Sequence, residues 1–320
     1  MAGQVKVVRD DDVTTPLTGG APPVIDAHQH FWRLQLQEQT WRTADHGAIA
    51  ADYEPSDLAG PMSEAGVDAT ILIQSVDSAE ENDRLAAYAA TTSFIAGVVG
   101  WAPLRDPRAA AAEIDRMVRI VPRLRGVRCL VGRERLDWLT EPPALQALRM
   151  LADLGLSWDV VPVTAAQSAV VVAAARQVPQ LRVVVDHLGR PPVEAGGWEP
   201  WASSVRALAS CPNVAMKVSV GIDVLTAWGG WNPHALAPYV QCAVEQFGPS
   251  RLMLASNWPV VLLRQNYADA WNGLIETLAR IGLSRSEIAD IRGGTARRWY
   301  RTVLGSAPSY GTHRREESAT

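Results

Sequence analysis

The amino-acid sequence predicts a single-domain (β/α)8 barrel. Short apolar runs alternate eight times with longer segments of helical character. These runs are continuously apolar, which is typical of parallel strands that helices cover on both faces. The alternative is an open doubly wound sheet, which would carry a glycine-rich phosphate loop after its first strand. This chain has His28-Gln29-His30 at that point, so the barrel is favoured.

Local signals mark where several of these elements begin. Pro55 opens the first helix, and Asp106 caps a later helix that has Pro107 at its first position. Two long loops, 31–52 and 221–233, are expected to shape any substrate pocket. The strands are predicted at 24–30, 69–74, 95–101, 126–131, 156–161, 181–186, 214–220 and 252–255. The helices are predicted at 55–66, 79–92, 106–119, 142–154, 165–177, 201–210, 234–247, 267–281 and 284–300.

Composition indicates one folded unit between two polar ends. The chain has 320 residues, of which 48% are apolar and 20% are charged, as expected for a globular protein with a large core. Residues 1–22 are predicted to form a flexible arm and residues 304–320 a flexible tail, because both stretches are polar. The barrel is therefore predicted over residues 23–303.

Net charge and cysteine spacing limit which classes of binding partner and which cellular compartment are expected. The net charge is −4 and the chain has no long basic block, which argues against nucleic acid and membrane surfaces as partners. Cys129, Cys211 and Cys242 show no CxxC spacing, so a reducing compartment is predicted. With no signal-peptide pattern and no apolar run of transmembrane length, we expect a soluble cytoplasmic protein. A small-molecule substrate is expected, and a homodimer is the prior for assembly.

Polar side chains recur at the carboxyl ends of the predicted strands, where barrel enzymes collect their chemistry. A polar group at the end of an apolar strand is costly unless it is paired or used. The residues at these ends are His28, His30, Gln74, Trp101, Arg128, Asp159, Asp186, His187, Lys217, Ser219 and the segment Ser256-Asn257-Trp258-Pro259. Their recurrence at one end of the barrel predicts an active site there.

Three histidines form the centre of that predicted site. His28 and His30 are two residues apart on a strand, so their imidazoles face one common point. His187, just past strand six, is the natural third. Three imidazoles could hold a divalent ion, zinc first, and such an ion lowers the pKa of bound water towards about 7. Alternatively, His187 caps its strand and hydrogen-bonds backbone. Asp186 precedes His187 and is expected to point to the opposite side, where it would support structure.

The remaining polar strand ends each admit two interpretations. Arg128 could clamp a carboxylate or carbonyl oxygen of the substrate, or form a salt bridge at the rim. Lys217 lies inside an apolar strand and is either paired internally or faces the pocket. Asp159 is a candidate proton acceptor or a structural hydrogen-bond partner. Trp101 could form a pocket wall or simply pack. Gln74 and Trp258 complete the predicted substrate-binding set with Arg128, Trp101 and Lys217.

Four motifs in order resemble those of a known family. They are His28-Gln29-His30-Phe31-Trp32, Gly126-Val127-Arg128, Asp186-His187-Leu188-Gly189-Arg190-Pro191 and Arg251 through Val260. The set resembles the amidohydrolase-related branch that contains L-fuconolactonase, L-rhamnonolactonase and 2-pyrone-4,6-dicarboxylate lactonase. The resemblance implies a (β/α)8 barrel that hydrolyses a small lactone. It implies that His28, His30 and His187 line the site as metal ligands or as groups that polarise the carbonyl, with or without a metal, and that Arg128 contacts substrate.

One departure from the family pattern bears on the chemistry. These lactonases usually carry aspartate in a Ser-Asp-Trp-Pro motif after strand eight, as the expected general base, and this chain has Asn257. An amide accepts no proton at neutral pH and is a weak zinc ligand. Either another base serves, such as Asp159, His187 or a metal-bound hydroxide, or the chain is a knockout, or the barrel has turned to a non-hydrolytic reaction or to binding. The leading hypothesis is a lactone hydrolase, with water attacking near Asn257.

Overall fold

Eight parallel strands pair in chain order around a barrel. The structure is a computed structural model and describes residues 22–302. The strands are β1 (Ile25–Gln29), β2 (Ala69–Ile73), β3 (Ile95–Gly100), β4 (Leu124–Arg128), β5 (Ser157–Val160), β6 (Arg182–Val185), β7 (Val214–Val218) and β8 (Leu252–Leu254). A bridge between Gln29 and Trp258 links the last strand's loop to the first strand, and the His30 N–H donates to the Trp258 carbonyl at 2.8 Å. The predicted (β/α)8 barrel is confirmed.

The helices follow the strands as predicted, except that one short helix is added and the last predicted helix is divided in two. They are α1 (Pro55–Glu64), α2 (Ala79–Thr91), α3 (Pro107–Ile120), α4 (Pro142–Asp153), α5 (Ala165–Gln177), α6 (Trp201–Ala209), α7 (Ile222–Ala227), α8 (Ala237–Phe247), α9 (Tyr267–Arg280), α10 (Arg285–Ala289) and α11 (Thr295–Trp299). The Asp106 side chain caps α3 by accepting from two backbone N–H groups, as its sequence position predicts. The short helix α7 was not predicted and lies inside the loop expected at 221–233.

The fourth strand begins and ends earlier than the predicted 126–131. It spans Leu124–Arg128. Beyond Arg128 the chain leaves the sheet, because the Leu130 N–H donates to the Asp77 carboxylate at 3.0 Å. Leu130 thereby becomes part of the loops above the barrel.

The carboxyl-terminal segment closes the barrel at the amino-terminal ends of the strands. The single helix predicted over 284–300 is divided by a π-helical turn, Asp290–Gly294. This turn lies so close to the start of β1 that a Cβ on Gly293 would be 2.0 Å from the Pro23 carbonyl oxygen. Tyr300 then enters the barrel interior, where it is fully buried among apolar side chains of several strands. The predicted arm and tail lie outside the described residues, apart from Pro22.

Candidate active site

A register shift in β1 lets His28, and His30 just after the strand, face the barrel interior. The pairing of β1 with β2 is irregular between Asp26 and Gln29, and the His28 N–H donates to the Asp26 carboxylate at 3.1 Å. The Nε2 atoms of His28 and His30 lie 3.1 Å apart. The His187 ring lies 4.6 Å from the His28 ring, centroid to centroid. The three histidines predicted from sequence are therefore brought together.

Each imidazole is oriented through its Nδ1 atom, and the Nε2 atoms of His28 and His30 face each other. This is the arrangement found for metal-ligating histidines, whose second nitrogen contacts a carboxylate, a carbonyl or another polar group. The Nδ1 partners are Asp186 Oδ1 for His28 at 3.3 Å, the Ile73 carbonyl for His30 at 2.8 Å and Ser219 Oγ for His187 at 2.9 Å.

Burial keeps these imidazoles neutral. Burial, together with the nearby Arg128 guanidinium, lowers the pKa of His30 to about 3. Burial likewise holds the pKa values of His28 and His187 well below the usual range, although Asp186 acts in the opposite direction on both. Each ring is therefore a neutral imidazole at neutral pH, with one N–H and one nitrogen lone pair.

His187 reaches the pocket through a left-handed turn. Residues 187 to 190 have φ values of 52°, 54°, 64° and 54°, and only the third is glycine. The Arg190 N–H donates to the His187 carbonyl at 2.9 Å, which closes the turn. A left-handed conformation costs a non-glycine residue about 1–2 kcal/mol. Three such residues within four positions are typical of a site where geometry takes precedence over local stability.

Asp186 lies at the centre of the polar network, contrary to the expectation that it points away. Its Oδ1 lies 2.9 Å from Lys217 Nζ, and its Oδ2 accepts from Arg128 Nε at 3.0 Å. Burial alone would raise the pKa of Asp186, but Lys217, His28 and Arg128 hold it well below the usual range. The expectation is wrong because strand alternation ends at Val185, and the left-handed turn brings His187 back to the same side.

Lys217 and Asp159 form a buried layer below the histidines. Lys217 Nζ donates to Asp159 Oδ2 at 2.7 Å and lies 3.2 Å from His28 Nδ1. Asp159 also accepts from Ser157 Oγ at 2.9 Å and from the Tyr300 hydroxyl at 2.5 Å. Burial raises the pKa of Asp159, against the lowering effect of Lys217. Both side chains are fully buried, so Lys217 has the internal pairing that the sequence left open.

A small pocket opens above the histidines. Its volume is about 90 Å³, below the roughly 300–1,000 Å³ of typical ligand clefts. Of the described residues that line it, none carries a carboxyl group, and two carry guanidinium groups. The lining residues are His30, Trp41, Ser75, Arg128, Leu130, His187, Arg190, Ile222, Asn257 and Val260.

Arg128 is the one predicted substrate-binding residue in that lining, and the other four lie elsewhere. Gln74 is buried beside it and accepts from its Nη1 through the backbone carbonyl at 3.1 Å. Trp101 is anchored through its backbone to Asn82. Trp258 packs against the rings of Phe31 and Tyr53, and Lys217 lies in the layer below. Direct contact with a ligand in this pocket is not expected of these four.

Asn257 lines the pocket with its amide already oriented. Its Nδ2 donates to the Val220 carbonyl at 2.9 Å, and its backbone N–H donates to the His28 carbonyl at 2.9 Å. The side-chain oxygen is thereby left as the acceptor of this residue. The preceding Ser256 is held by Asp26, which accepts from both its N–H and its hydroxyl. Burial raises the pKa of Asp26 to about 6.

Sequence reasoning missed Asp26, Arg190 and Tyr300 as parts of this network. Arg190 belongs to the turn after strand six, and its spacing of three residues from His187 is the signal that could have indicated it. Asp26 carries a weaker signal, since it is the lone acid in an apolar strand. Tyr300 could not have been found, because nothing local indicates that the last helix enters the barrel.

The Nε2 atoms of His28 and His30 have a spacing that fits two ligands of one divalent metal ion. Zinc–nitrogen bonds of 2.0–2.1 Å in tetrahedral geometry place two ligand nitrogens about 3.3 Å apart, close to the 3.1 Å between His28 and His30. Ligand atoms of His28, Asp186 and His187 also lie within 4.8 Å of one another. Asp186 already contacts His28, Arg128 and Lys217. It therefore fits the role of orienting His28 as a metal ligand better than that of binding the ion itself.

Fold and site together define a barrel enzyme with a histidine centre at the carboxyl ends of its strands. The chain belongs to the amidohydrolase family, whose model matches residues 25–302, and the resemblance seen in the sequence is confirmed. It is similar to L-fucono-1,5-lactonase of Burkholderia ambifaria, at 34% identity over 284 residues, 87% of this chain and 95% of that protein. A protein of the same name from Burkholderia multivorans is 32% identical, over 86% of this chain and 95% of its own length.

Solved structures agree with this assignment. A crystal structure of an amidohydrolase from Burkholderia multivorans with bound zinc superposes with a TM-score of 0.79 at 31% identity, and the match covers 88% of this chain and 100% of that one. Within residues 22–302 we find no helix with the length and apolar character needed to cross a membrane.

Proposed function

We propose that this protein hydrolyses a small lactone, of the sugar-acid type or the type formed in the breakdown of aromatic compounds. The observation that carries the proposal is the cluster of three neutral imidazoles, of which His30 and His187 line the pocket. The lone pairs of neutral imidazoles suit a divalent ion, which would polarise an ester carbonyl as a Lewis acid. The curated relatives named L-fucono-1,5-lactonase support the reaction type.

His28, His30 and His187 are the residues that would hold a divalent ion, with zinc as the first candidate. When bound, the ion would act as a Lewis acid towards the lactone carbonyl. Asp186 and Ser219 keep the rings of His28 and His187 in place, and the Ile73 carbonyl does the same for His30. A zinc-bound neighbour in the family supports this assignment.

The proton of the attacking water needs an acceptor other than Asn257. Asp159 is fully buried, and its two oxygens already accept from Ser157, Lys217 and Tyr300. His187 lines the pocket, and we propose its Nε2 as the acceptor when no ion occupies that atom. The water oxygen then bonds to the carbonyl carbon, the ring C–O bond breaks, and His187 returns the proton to the leaving oxygen. The Asn257 side-chain oxygen orients the water.

Proton release from a panel of sugar-acid and aromatic-derived lactones tests the proposal. We expect at least one lactone to be hydrolysed, and His187→Asn to abolish turnover while the protein stays folded. Each assay is run after chelation and again with added zinc, and bound metal is counted by elemental analysis. If no lactone is hydrolysed under either condition, the proposed function is wrong.

The domain bounds, the cellular compartment and the oligomeric state of the protein are also proposals. One barrel domain over residues 23–303, flanked by polar ends, accounts for the sequence pattern. We propose that the protein works in the cytoplasm and assembles as a homodimer. The three cysteines are all free, which supports a reducing compartment. Analytical ultracentrifugation tests the dimer, and a monomer at micromolar concentration would contradict it.

A further inference from the structure

The Leu188 carbonyl of the left-handed turn after β6 bonds to a residue outside the turn. Two bonds close the turn internally, because the N–H groups of residues 189 and 190 donate to the carbonyls of residues 186 and 187 at 3.0 and 2.9 Å. The Leu188 carbonyl instead accepts from Trp201 Nε1 at 2.7 Å, in a buried position. Trp201 is the first residue of α6. This bond therefore joins the turn to the helix layer around the barrel.

Trp201 is itself held by aromatic packing. Its ring centroid lies 5.5 Å from that of Trp198 and 5.1 Å from that of Tyr239, with interplanar angles of 66° and 78°. The Tyr239 hydroxyl donates to the Gly197 carbonyl at 2.8 Å, which ties α8 to the loop before α6. Trp201 is buried, so packing against these two rings keeps the indole in one orientation. Its N–H group therefore meets the turn from a fixed position.

The turn needs an outside contact because its backbone is intrinsically disfavoured. His187, Leu188 and Arg190 all have left-handed φ angles, which cost each of these residues free energy. A hydrogen bond to the Leu188 carbonyl fixes the plane of the peptide that follows Leu188, and it thereby opposes relaxation of the turn towards negative φ. The Ser219 contact with Nδ1 of His187 orients the imidazole ring but not the backbone that carries it. The direction in which His187 leaves the backbone depends on the turn.

We propose that Trp201 is a positioning residue for the reaction, whose indole N–H holds the left-handed turn in the conformation that presents His187 to the pocket. This inference rests on the proposed lactone hydrolysis, in which His187 accepts and returns the proton. Trp201 is not among the described residues that line the pocket. It therefore acts through the turn and not on a ligand, so its loss should reduce kcat and leave KM nearly unchanged.

The main test removes the indole N–H and keeps the two fused rings. Replacement of Trp201 by β-(3-benzothienyl)alanine, in which sulfur takes the place of the N–H group, preserves the packing on Trp198 and Tyr239. We expect kcat for the best lactone to fall about 10- to 100-fold, because a small displacement of a reacting group has an effect of that size. KM should change less than about threefold. Trp201→Phe, which needs no unnatural amino acid, should show the same loss of kcat.

Trp271→Phe is the matched control. Trp271 is fully buried on α9, and its Nε1 has no hydrogen-bond partner among the described residues. The control therefore loses the same ring volume from the protein interior without losing a hydrogen bond. We expect its kcat and KM to equal those of the wild type. An equal fall of kcat in both phenylalanine variants would show a general packing effect and overturn the inference.

A measurement without substrate separates this inference from the proposed function. Proton–nitrogen correlation spectra of the substrate-free protein, labelled with ¹⁵N in histidine, report the ring nitrogens, and His187→Asn assigns the signals of His187. We expect these signals to shift in both variants of Trp201 and to stay in place in Trp271→Phe, while those of His30 stay in place in all three. That result supports the inference even if no lactone is hydrolysed. Unchanged His187 signals in the benzothienyl variant, or an unchanged kcat, would overturn it.

Discussion

Replacing Asn257 with aspartate is the most informative perturbation of this site. The amide donates from Nδ2 to the Val220 carbonyl at 2.9 Å, and the residue is 3% exposed. A carboxylate cannot donate there, so the carbonyl loses its partner. Leaving such a buried acceptor unpaired costs about 1–3 kcal/mol. We therefore expect Asn257→Asp to fold with a melting temperature a few degrees below that of the wild type.

The same penalty sets the ionisation of the new carboxyl group. If the whole cost of the unpaired Val220 carbonyl falls on the ionised form, the pKa of the new carboxyl group rises by about 1–2 units above the ordinary value near 3.9. The group is then still mainly ionised at pH 8, where it serves as a stronger proton acceptor than a neutral buried histidine. A positioned base contributes about 10²–10⁴ in rate. We expect kcat of Asn257→Asp to rise at least tenfold, with an acid limb near pH 5–6.

The assay is proton release from the best lactone of the wild type, measured from pH 5 to pH 9. Asn257→Ala is the matched control, since it removes the Val220 contact without adding a base, and it should lose stability and gain no rate. A folded Asn257→Asp protein with an unchanged or lower kcat would refute the reasoning. It would show that water is activated elsewhere and that Asn257 serves in binding.

Three further predictions follow from the buried network. Ser219→Ala removes the Nδ1 partner of His187, and kcat should fall about tenfold with KM unchanged; a change confined to KM would contradict the orienting role. Lys217→Met leaves the buried carboxylates of Asp159 and Asp186 without their lysine, and the free energy of unfolding in urea should fall by about 3–5 kcal/mol. Adding Asp159→Leu should recover most of this loss. A loss below about 1 kcal/mol would contradict this pairing. His30 stays neutral when folded because its pKa is about 3, whereas the unfolded chain binds that proton below about pH 6.5. Its share of stability is therefore present above pH 6.5 and is lost as the pH falls towards 3. His30→Gln should reduce the acid-side slope of stability by about 1.4 kcal/mol per pH unit, and an unchanged slope would argue for a charged His30.

The sequence was sufficient for the barrel and for the histidine centre because both depend on short-range rules. Apolar runs of strand length and the residues that begin helices locate the elements. The two-residue spacing of His28 and His30 places them on one face. Even so, the register shift in β1 turns both rings to the barrel interior, and no signal in the sequence predicts that shift.

The errors arise where the chain leaves regular geometry. Asp186 was expected to face away because strand alternation was extended one residue past the end of β6. Four successive positive φ angles invalidate that extension. Gln74, Trp101 and Trp258 follow apolar strands in the sequence but lie outside the pocket lining, since a strand end does not determine which way the following loop turns.

The insertion of Tyr300 into the barrel has a consequence for biosynthesis. A ribosome releases the eight strands before it releases this residue, and until then the Asp159 and Lys217 layer lacks the hydroxyl and the ring that cover it. The amino-terminal strand likewise waits for Gly293, whose missing side chain admits the Pro23 carbonyl. The barrel can therefore be sealed only after residue 300 has left the ribosome, and a nascent chain stalled before residue 293 should remain accessible to chaperones and proteases.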